Sequence, residues 1–274
     1  MRNNRLLPAV FVSLLLILGS GAALSASERE GVDVGKNSVF TKFISAEQLE
    51  QSAAQQYHQL LGQARDKNAL ALPDHPQLRR LQGIARKIIP FAAAWNPRAT
   101  QWRWEVNLLG SSQVNAFCMP GGKIAFYTGI LDKLKLTDDE VAMVMGHEIA
   151  HALREHARER MGKNAATNIG TNLLSQVLGL GQLGQTVTHY GAQLLTLEFS
   201  REDESEADLV GMELAARAGF NPRAGISLWQ KMATVNKNAP PQWLSTHPSS
   251  STRIREIQDN LPKVEPLYQR ARGR

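Results

Sequence analysis

The segment Thr137–Ala152 places the strongest constraint on this 274-residue chain. Thr137 followed by Asp138, Asp139 and Glu140 reads as a helix start, with a side-chain cap and negative charge at the positive end of the helix dipole. Further along, His147-Glu148-Ile149-Ala150-His151 sets two imidazoles at i and i+4. On an α-helix those positions are about 40° apart, so both rings point the same way and can share one metal ion. Glu148 lies about 100° round, close enough to reach a water on that metal without displacing a ligand. With 7 His and 25 acidic residues in the chain, chance supplies roughly 0.02 such matches. Two histidines do not complete a catalytic zinc site, which takes three protein ligands and keeps one position open.

The third ligand has to come from elsewhere. On a continuing helix His156 falls roughly 180° from His147 and cannot join the pair. The metzincin extension would need Gly at Arg154 and His at Ala157, and neither is present. Ser200–Asp208 is the better source, with Glu202, Asp203, Glu204, Glu206 and Asp208 all acidic. Glu204 and Asp208 stand at i and i+4 on one face, beside the small residues Ala207 and Gly211, which allow a close helix approach. One carboxylate could bind zinc while the other orients a ligand imidazole.

The remaining sequence bounds the class. With 43% hydrophobic and 20% charged residues and a net charge of +6, the chain has the composition of a globular body rather than a disordered one. No Lys/Arg block stands beside aromatics, so nucleic-acid binding is not expected. Arg2 and Arg5, the apolar run Leu6–Leu18 and the small residues up to Ala26 form a signal pattern, expected to be cleaved rather than kept as an anchor because the run is short for a membrane span of about 20 residues, and residues 27–274 are expected to be one domain. The single cysteine, Cys118, excludes an intramolecular disulfide and reads as a buried small hydrophobe. Helices are expected over about 45–63 and 75–94, and strands over 102–109, 112–119 and 123–128, with Pro120-Gly121-Gly122 as a turn. From Thr137 onward nearly everything reads as helix. The fold class is therefore α+β, mainly helical, with one small sheet beside the active-site helix. No repeat of solenoid period is present. Residues 164–197 carry no Asp, Glu, Lys or Arg. Their scattered Asn, Gln, Thr and Gly suit two short helices around Gly179-Leu180-Gly181 covering an apolar cleft better than a membrane span.

His-Glu-x-x-His followed by Glu-x-x-x-Asp in a Ser-Arg…Glu-Ala-Asp…Gly setting resembles the gluzincin peptidases of the CAAX prenyl protease and HtpX heat-shock protease type. These include the mitochondrial and periplasmic quality-control peptidases of the BepA and LoiP type. The resemblance runs over about 102–261 and extends to Asn115-Ala116-Phe117-Cys118-Met119-Pro120-Gly121-Gly122 and to Thr246-His247-Pro248 with Arg253. It implies that His147, His151 and Glu204 hold one zinc ion and that Glu148 is the general base. Asp208 would partner a ligand histidine, and Arg253 would organise the same corner. His247 would donate to the oxyanion or occupy the open zinc position at rest. An edge strand around Asn115 and Ala116 would pair with extended substrate. His58, His75 and His189 match nothing and are left as ordinary residues. The implied activity is a periplasmic zinc endopeptidase acting on unfolded or misassembled envelope polypeptides, with outer-membrane assembly machinery as a partner and at most peripheral membrane contact. The competing readings are an envelope chaperone with a vestigial metal site, which would need no Glu148, and a zinc aminopeptidase, for which no amine-binding motif is evident.

Overall fold

The computed structural model describes residues 29–177, 194, 197–235, 242–247 and 251–273. The signal segment expected at 1–26, Gly179-Leu180-Gly181, His189 and Pro248 lie outside the described residues. Residues 31–274 form one unit, separate from 1–30.

Helix α1 (Ala46–Asp66) opens on the Ser45 cap, whose hydroxyl accepts from the Gln48 N–H. Helix α2 (Pro76–Ile88) opens on His75 with proline in its first turn. It ends earlier than its periodicity predicts. Pro90 has no N–H to continue the α pattern, so Ile89–Ala94 winds as a 3-10 turn. The first strand, β1 (Glu105–Leu109), also begins later than expected. Trp102 and Trp104 are held instead by indole bonds to Glu50 and to the Ala99 carbonyl. Strands β2 (Ala116–Met119) and β3 (Lys123–Tyr127) form a hairpin whose turn residues Gly121 and Gly122 both have positive φ, 83° and 77°. The sheet order is β1-β3-β2, with β3 parallel to β1 and antiparallel to β2. One outer edge is partly closed by a bridge between Leu70 and Leu109, whereas β2 forms the other. A short helix that the pattern does not announce, α3 (Thr128–Leu134), stops at Lys135 in the left-handed region.

Helix α4 (Asp138–Leu153) is the centre of the molecule. Its start is the capping box of Thr137 and Glu140, and every residue from Glu140 to Leu153 is buried. A helix buried all round needs neighbours on every side, and α2, β2, α6 (Arg201–Arg217) and α7 (Ala224–Val235) provide them. Helix α6 starts on a second capping box, Ser200 with Asp203. It crosses α4 at two glycines: a Cβ on Gly146 would lie 2.5 Å from the Gly211 carbonyl oxygen. Helix α9 (Ser251–Arg272) packs against α6. Between these elements run α5 (His156–Val177) and the short α8 (Gln242–Thr246). Residues 164–177 thus belong to one continuous helix that starts at His156, not to a separate short one. No described helix is long and apolar enough to cross a membrane.

Candidate active site

Helix α4 delivers His147, Glu148 and His151, each no more than 3% exposed, and α6 delivers Glu204 and Asp208. The i, i+4 spacing works on both helices at once. Nε2 of His147 and Nε2 of His151 come to 3.0 Å, and the Glu204 carboxylate lies 3.6 Å from the first and 3.3 Å from the second. His247, directly after α8, adds its Nδ1 at 2.9 Å from Glu204 and 3.3 Å from His147 Nε2. One donor atom from each of His147, His151, Glu204 and His247 falls within 4.8 Å of the others, and all four residues are buried.

Asp208 accepts from Nδ1 of His147 at 3.0 Å. That bond places the ring proton on Nδ1, so the neutral ring turns the lone pair of Nε2 into the cluster. Arg253, 1% exposed, bridges the two α6 carboxylates, donating to Glu204 at 2.6 Å and to both oxygens of Asp208 at 2.6 and 2.8 Å. Its guanidinium lies over the Trp229 ring at 3.8 Å.

Burial alone would raise the Glu204 carboxyl, but the surrounding His247, His151 and His147 hold it well below its ordinary value. For Asp208, too, burial is opposed, here by Arg253 and His147, and its carboxyl ends up lowered. Burial pushes His151 well below its ordinary value and so favours the neutral ring. Burial would also lower His247, but Glu148 and Glu204 outweigh it and raise that ring. Three buried acidic side chains (Glu148, Glu204 and Asp208) thus face one buried guanidinium and the raised His247 ring. A cluster still richer in acids than in cations, with the His147 lone pair turned inward, is stabilised by a cation. Imidazole and carboxylate donors are those that zinc takes, so the residues fit the ion.

Glu148 is held from the opposite side. The Trp243 indole N–H donates to its Oε1 at 2.6 Å, and His247 Nε2 stands 3.6 Å from the same oxygen. Trp243 stacks on His247, with ring centroids 4.8 Å apart. Both belong to the α8 segment, which is tied to the stretch leading into β2 by the Trp243 N–H on the Val114 carbonyl.

A cleft opens between this cluster and β2, lined by Asn115, Ala116, Cys118, Glu148, His151 and His247 among others. The Tyr127 N–H donates to the Asn115 carbonyl. In an antiparallel ladder bonded pairs alternate, so the N–H and C=O of Ala116 and Cys118 point away from the sheet. Asn115 spends its carbonyl inside the sheet, and Ala116 presents backbone to the cleft. Cys118 is buried, as its sequence setting suggested, and burial pushes its thiol up.

Residues 75–261 match the model of peptidase family M48. The chain belongs to that family. Among its relatives, the mitochondrial metalloendopeptidase OMA1 of Arabidopsis thaliana is 40% identical over 150 residues, 55% of this chain and 30% of that protein. The metalloprotease LoiP of Escherichia coli is 30% identical over 153 residues, 55% of this chain and 60% of that one. The beta-barrel assembly-enhancing protease of Yersinia pestis is 28% identical over 183 residues, 62% of this chain and 37% of that one. The chain therefore covers less than two thirds of each of these relatives. The M48 match begins at residue 75 and so takes in α2, upstream of the 102–261 core that the motifs alone delimit.

In this M48 chain the structure brings together every residue singled out for the site: His147, Glu148, His151, Glu204, Asp208, His247 and Arg253, with Asn115 and Ala116 across the cleft. It also adds three. Trp243 touches Glu148, Phe199 stacks on His151 at 4.0 Å, and His156 Nδ1 lies 2.9 Å from His151 Nδ1. The exclusion of His156 as a metal ligand stands, but not for the helical-wheel reason, because α4 does not continue: Glu155 takes φ 59°, and His156 begins a new helix. His156 is outside the four-residue donor cluster. His58 contacts Glu105 and His75 caps α2, both away from the site.

Proposed function

We propose that this chain is a zinc endopeptidase that cleaves extended, unfolded or misassembled polypeptide. His147, His151 and Glu204 would hold the ion. A zinc ion there supplies Lewis acidity, which polarises a peptide carbonyl and makes water more acidic.

The chain's own residues do the rest. Glu148, one residue beyond a ligand and on the cleft side, accepts the proton of the attacking water and returns it to the leaving amine. The Trp243 N–H fixes one carboxylate oxygen, leaving the other for the proton. Asp208 holds His147 in the ligand tautomer, and Arg253 keeps the two α6 carboxylates from repelling each other. Substrate backbone pairs with the outward N–H and C=O of Ala116 and Cys118, a mode that selects extended chain rather than a particular side chain. The observation that carries the reading is this strand edge, unpaired among the described residues, beside a buried donor cluster and a carboxylate base. His247 already stands among the donor atoms, which favours a resting role at the open position. Displacing it, with Trp243, would open the site.

The signal pattern at 1–26 and the beta-barrel assembly-enhancing relative support work in the periplasm as a quality-control peptidase, whereas the OMA1 relatives are named as mitochondrial. The beta-barrel assembly-enhancing relative makes outer-membrane assembly machinery the proposed partner. The test is digestion of unfolded casein with mapping of the new termini. Internal cuts, abolished by a chelator and restored by zinc, are expected. Stepwise loss from the N-terminus would instead mark an aminopeptidase, and zinc binding with no cleavage a chaperone.

A further inference from the structure

We infer that His156 is a positioning residue: it accepts the Nδ1 proton of His151 and so turns His151 Nε2 into the metal cluster as a lone pair. This inference rests on the reading of His151 as a zinc ligand.

The local backbone puts His156 there. Helix α4 ends at Leu153, Arg154 is its C-cap, and Glu155 is left-handed at φ 59°. The chain reverses within that one residue, and the His156 ring comes back over the His151 ring, with centroids 4.9 Å apart at 77°. His156 is 1% exposed. The two Nδ1 atoms are 2.9 Å apart, so one of them carries a proton and the other accepts it.

The proton has two placements, and they have opposite consequences. If His156 donates, the neutral His151 ring must carry its proton on Nε2. That proton would point at His147 Nε2, 3.0 Å away, and at Glu204, and no lone pair would remain for a metal. If His151 donates, its Nε2 is a free lone pair beside that of His147, whose own Nδ1 proton is already held by Asp208. Only this second arrangement makes both imidazoles ligands.

It also dictates the far side of His156, whose proton then sits on Nε2. That atom is buried and has no hydrogen-bond partner among the described residues. It faces Glu206 at 3.6 Å and Asp203 at 4.0 Å across a polar pocket behind the site. Two carboxylates favour an N–H aimed toward them over a lone pair. The same logic disposes of a second cation held by His156, Asp203 and Glu206. Such an ion would need the Nε2 lone pair, would move the proton to Nδ1, and would cost His151 its place at the first metal. Asp208 on His147 and His156 on His151 therefore do the same job from two different elements.

The test uses the full chain as wild type, His156→Leu and His156→Asn, with zinc affinity measured by chelator competition and metal-free unfolding followed in parallel. Leu removes the acceptor, and zinc affinity is expected to fall about 10- to 100-fold. Asn keeps an acceptor oxygen near the Nδ1 position and is expected to recover most of that loss. A merely structural role would shift metal-free unfolding in both variants and leave affinity unchanged. A Leu variant that binds zinc as tightly as wild type overturns the inference. The tautomer can also be read directly in the wild type, which keeps the test decisive should the Leu variant fail to fold. Long-range nitrogen–proton spectra of the zinc-loaded protein should show His156 protonated at Nε2 and His151 at Nδ1; His156 protonated at Nδ1 overturns it. A wild type that binds no zinc overturns the zinc reading first and this inference with it, whereas zinc binding with the wrong tautomer overturns this inference alone.

Discussion

The crossing of α4 and α6 at Gly146 and Gly211 should be a sensitive point outside the site itself. A Cβ on Gly211 would lie 2.5 Å from the His147 nitrogen and 2.6 Å from the Gly146 carbonyl carbon. Ordinary van der Waals contact begins near 3.4 Å, so Gly211→Ala must drive the two backbones apart by about 0.9 Å. Neither side can yield by rotating a side chain, because the atoms met are backbone. Overpacking of this kind costs about 1–3 kcal/mol. The larger effect is functional. Glu204 and Asp208 sit within two turns of Gly211 on the same helix, and a metal site tolerates ligand displacements of only about 0.2 Å. Gly211→Ala should therefore lose about tenfold or more in zinc affinity along with its stability. Gly62→Ala is the matched control: Gly62 lies inside α1, and its added Cβ would meet nothing within 4 Å. It should gain up to about 1 kcal/mol from helix propensity and bind zinc unchanged. Urea unfolding of the metal-free proteins and chelator competition report the two quantities separately. A Gly211→Ala protein with wild-type stability and zinc affinity would refute the argument that helix proximity assembles the site.

Three further outcomes follow from the geometry. Arg253→Met strands the buried carboxylates of Glu204 and Asp208 and should destabilise the metal-free protein by about 3–5 kcal/mol, with saturating zinc restoring part of the loss in thermal unfolding. Trp243→Phe keeps the stack on His247 but removes the indole bond to Glu148; it should cost about 1.5–3 kcal/mol while zinc stoichiometry in the purified protein stays at one. Burial would raise the Glu140 carboxyl, but Lys231, Thr137 and Ser227 outweigh it and leave it lowered from its ordinary value of 4.5. A group with a lowered folded value contributes stability above its unfolded value and loses it as pH falls through the folded one. Glu140→Gln should therefore cost about 1 kcal/mol at pH 7, and the gap in urea midpoints should close only below pH 4.5.

Much of the site was legible because it is written in helical periods. His147 and His151, and Glu204 and Asp208, are i, i+4 pairs, and the capping residues Thr137 and Ser200 mark where each helix begins. Gly211 and Ala207 announced a close neighbour, though not that Gly146 is the surface they meet. Helix ends were harder. Residues Arg154 and Glu155 carry no glycine, so nothing local signals that α4 stops there. A continuing helix sets His156 opposite His147, whereas the break brings it onto His151, still outside the donor cluster. Pro90 did signal a break, but the apolar run around it reads as continuing helix. The insertion of β3 between β1 and β2 rests on pairings across the chain that no local window contains. Trp243 had no motif to mark it, because its role depends on where α8 docks.

Under the proposed function Glu148 is the base of a zinc peptidase and does not hold its metal. The most direct test compares wild type with Glu148→Gln, measuring zinc content and cleavage of unfolded casein on the same preparations. About one zinc in each and internal cuts by the wild type only are expected, with the variant's activity reduced by about 10²-fold or more. Full activity in the glutamine variant, or a wild type that neither holds zinc nor cleaves, would contradict that role.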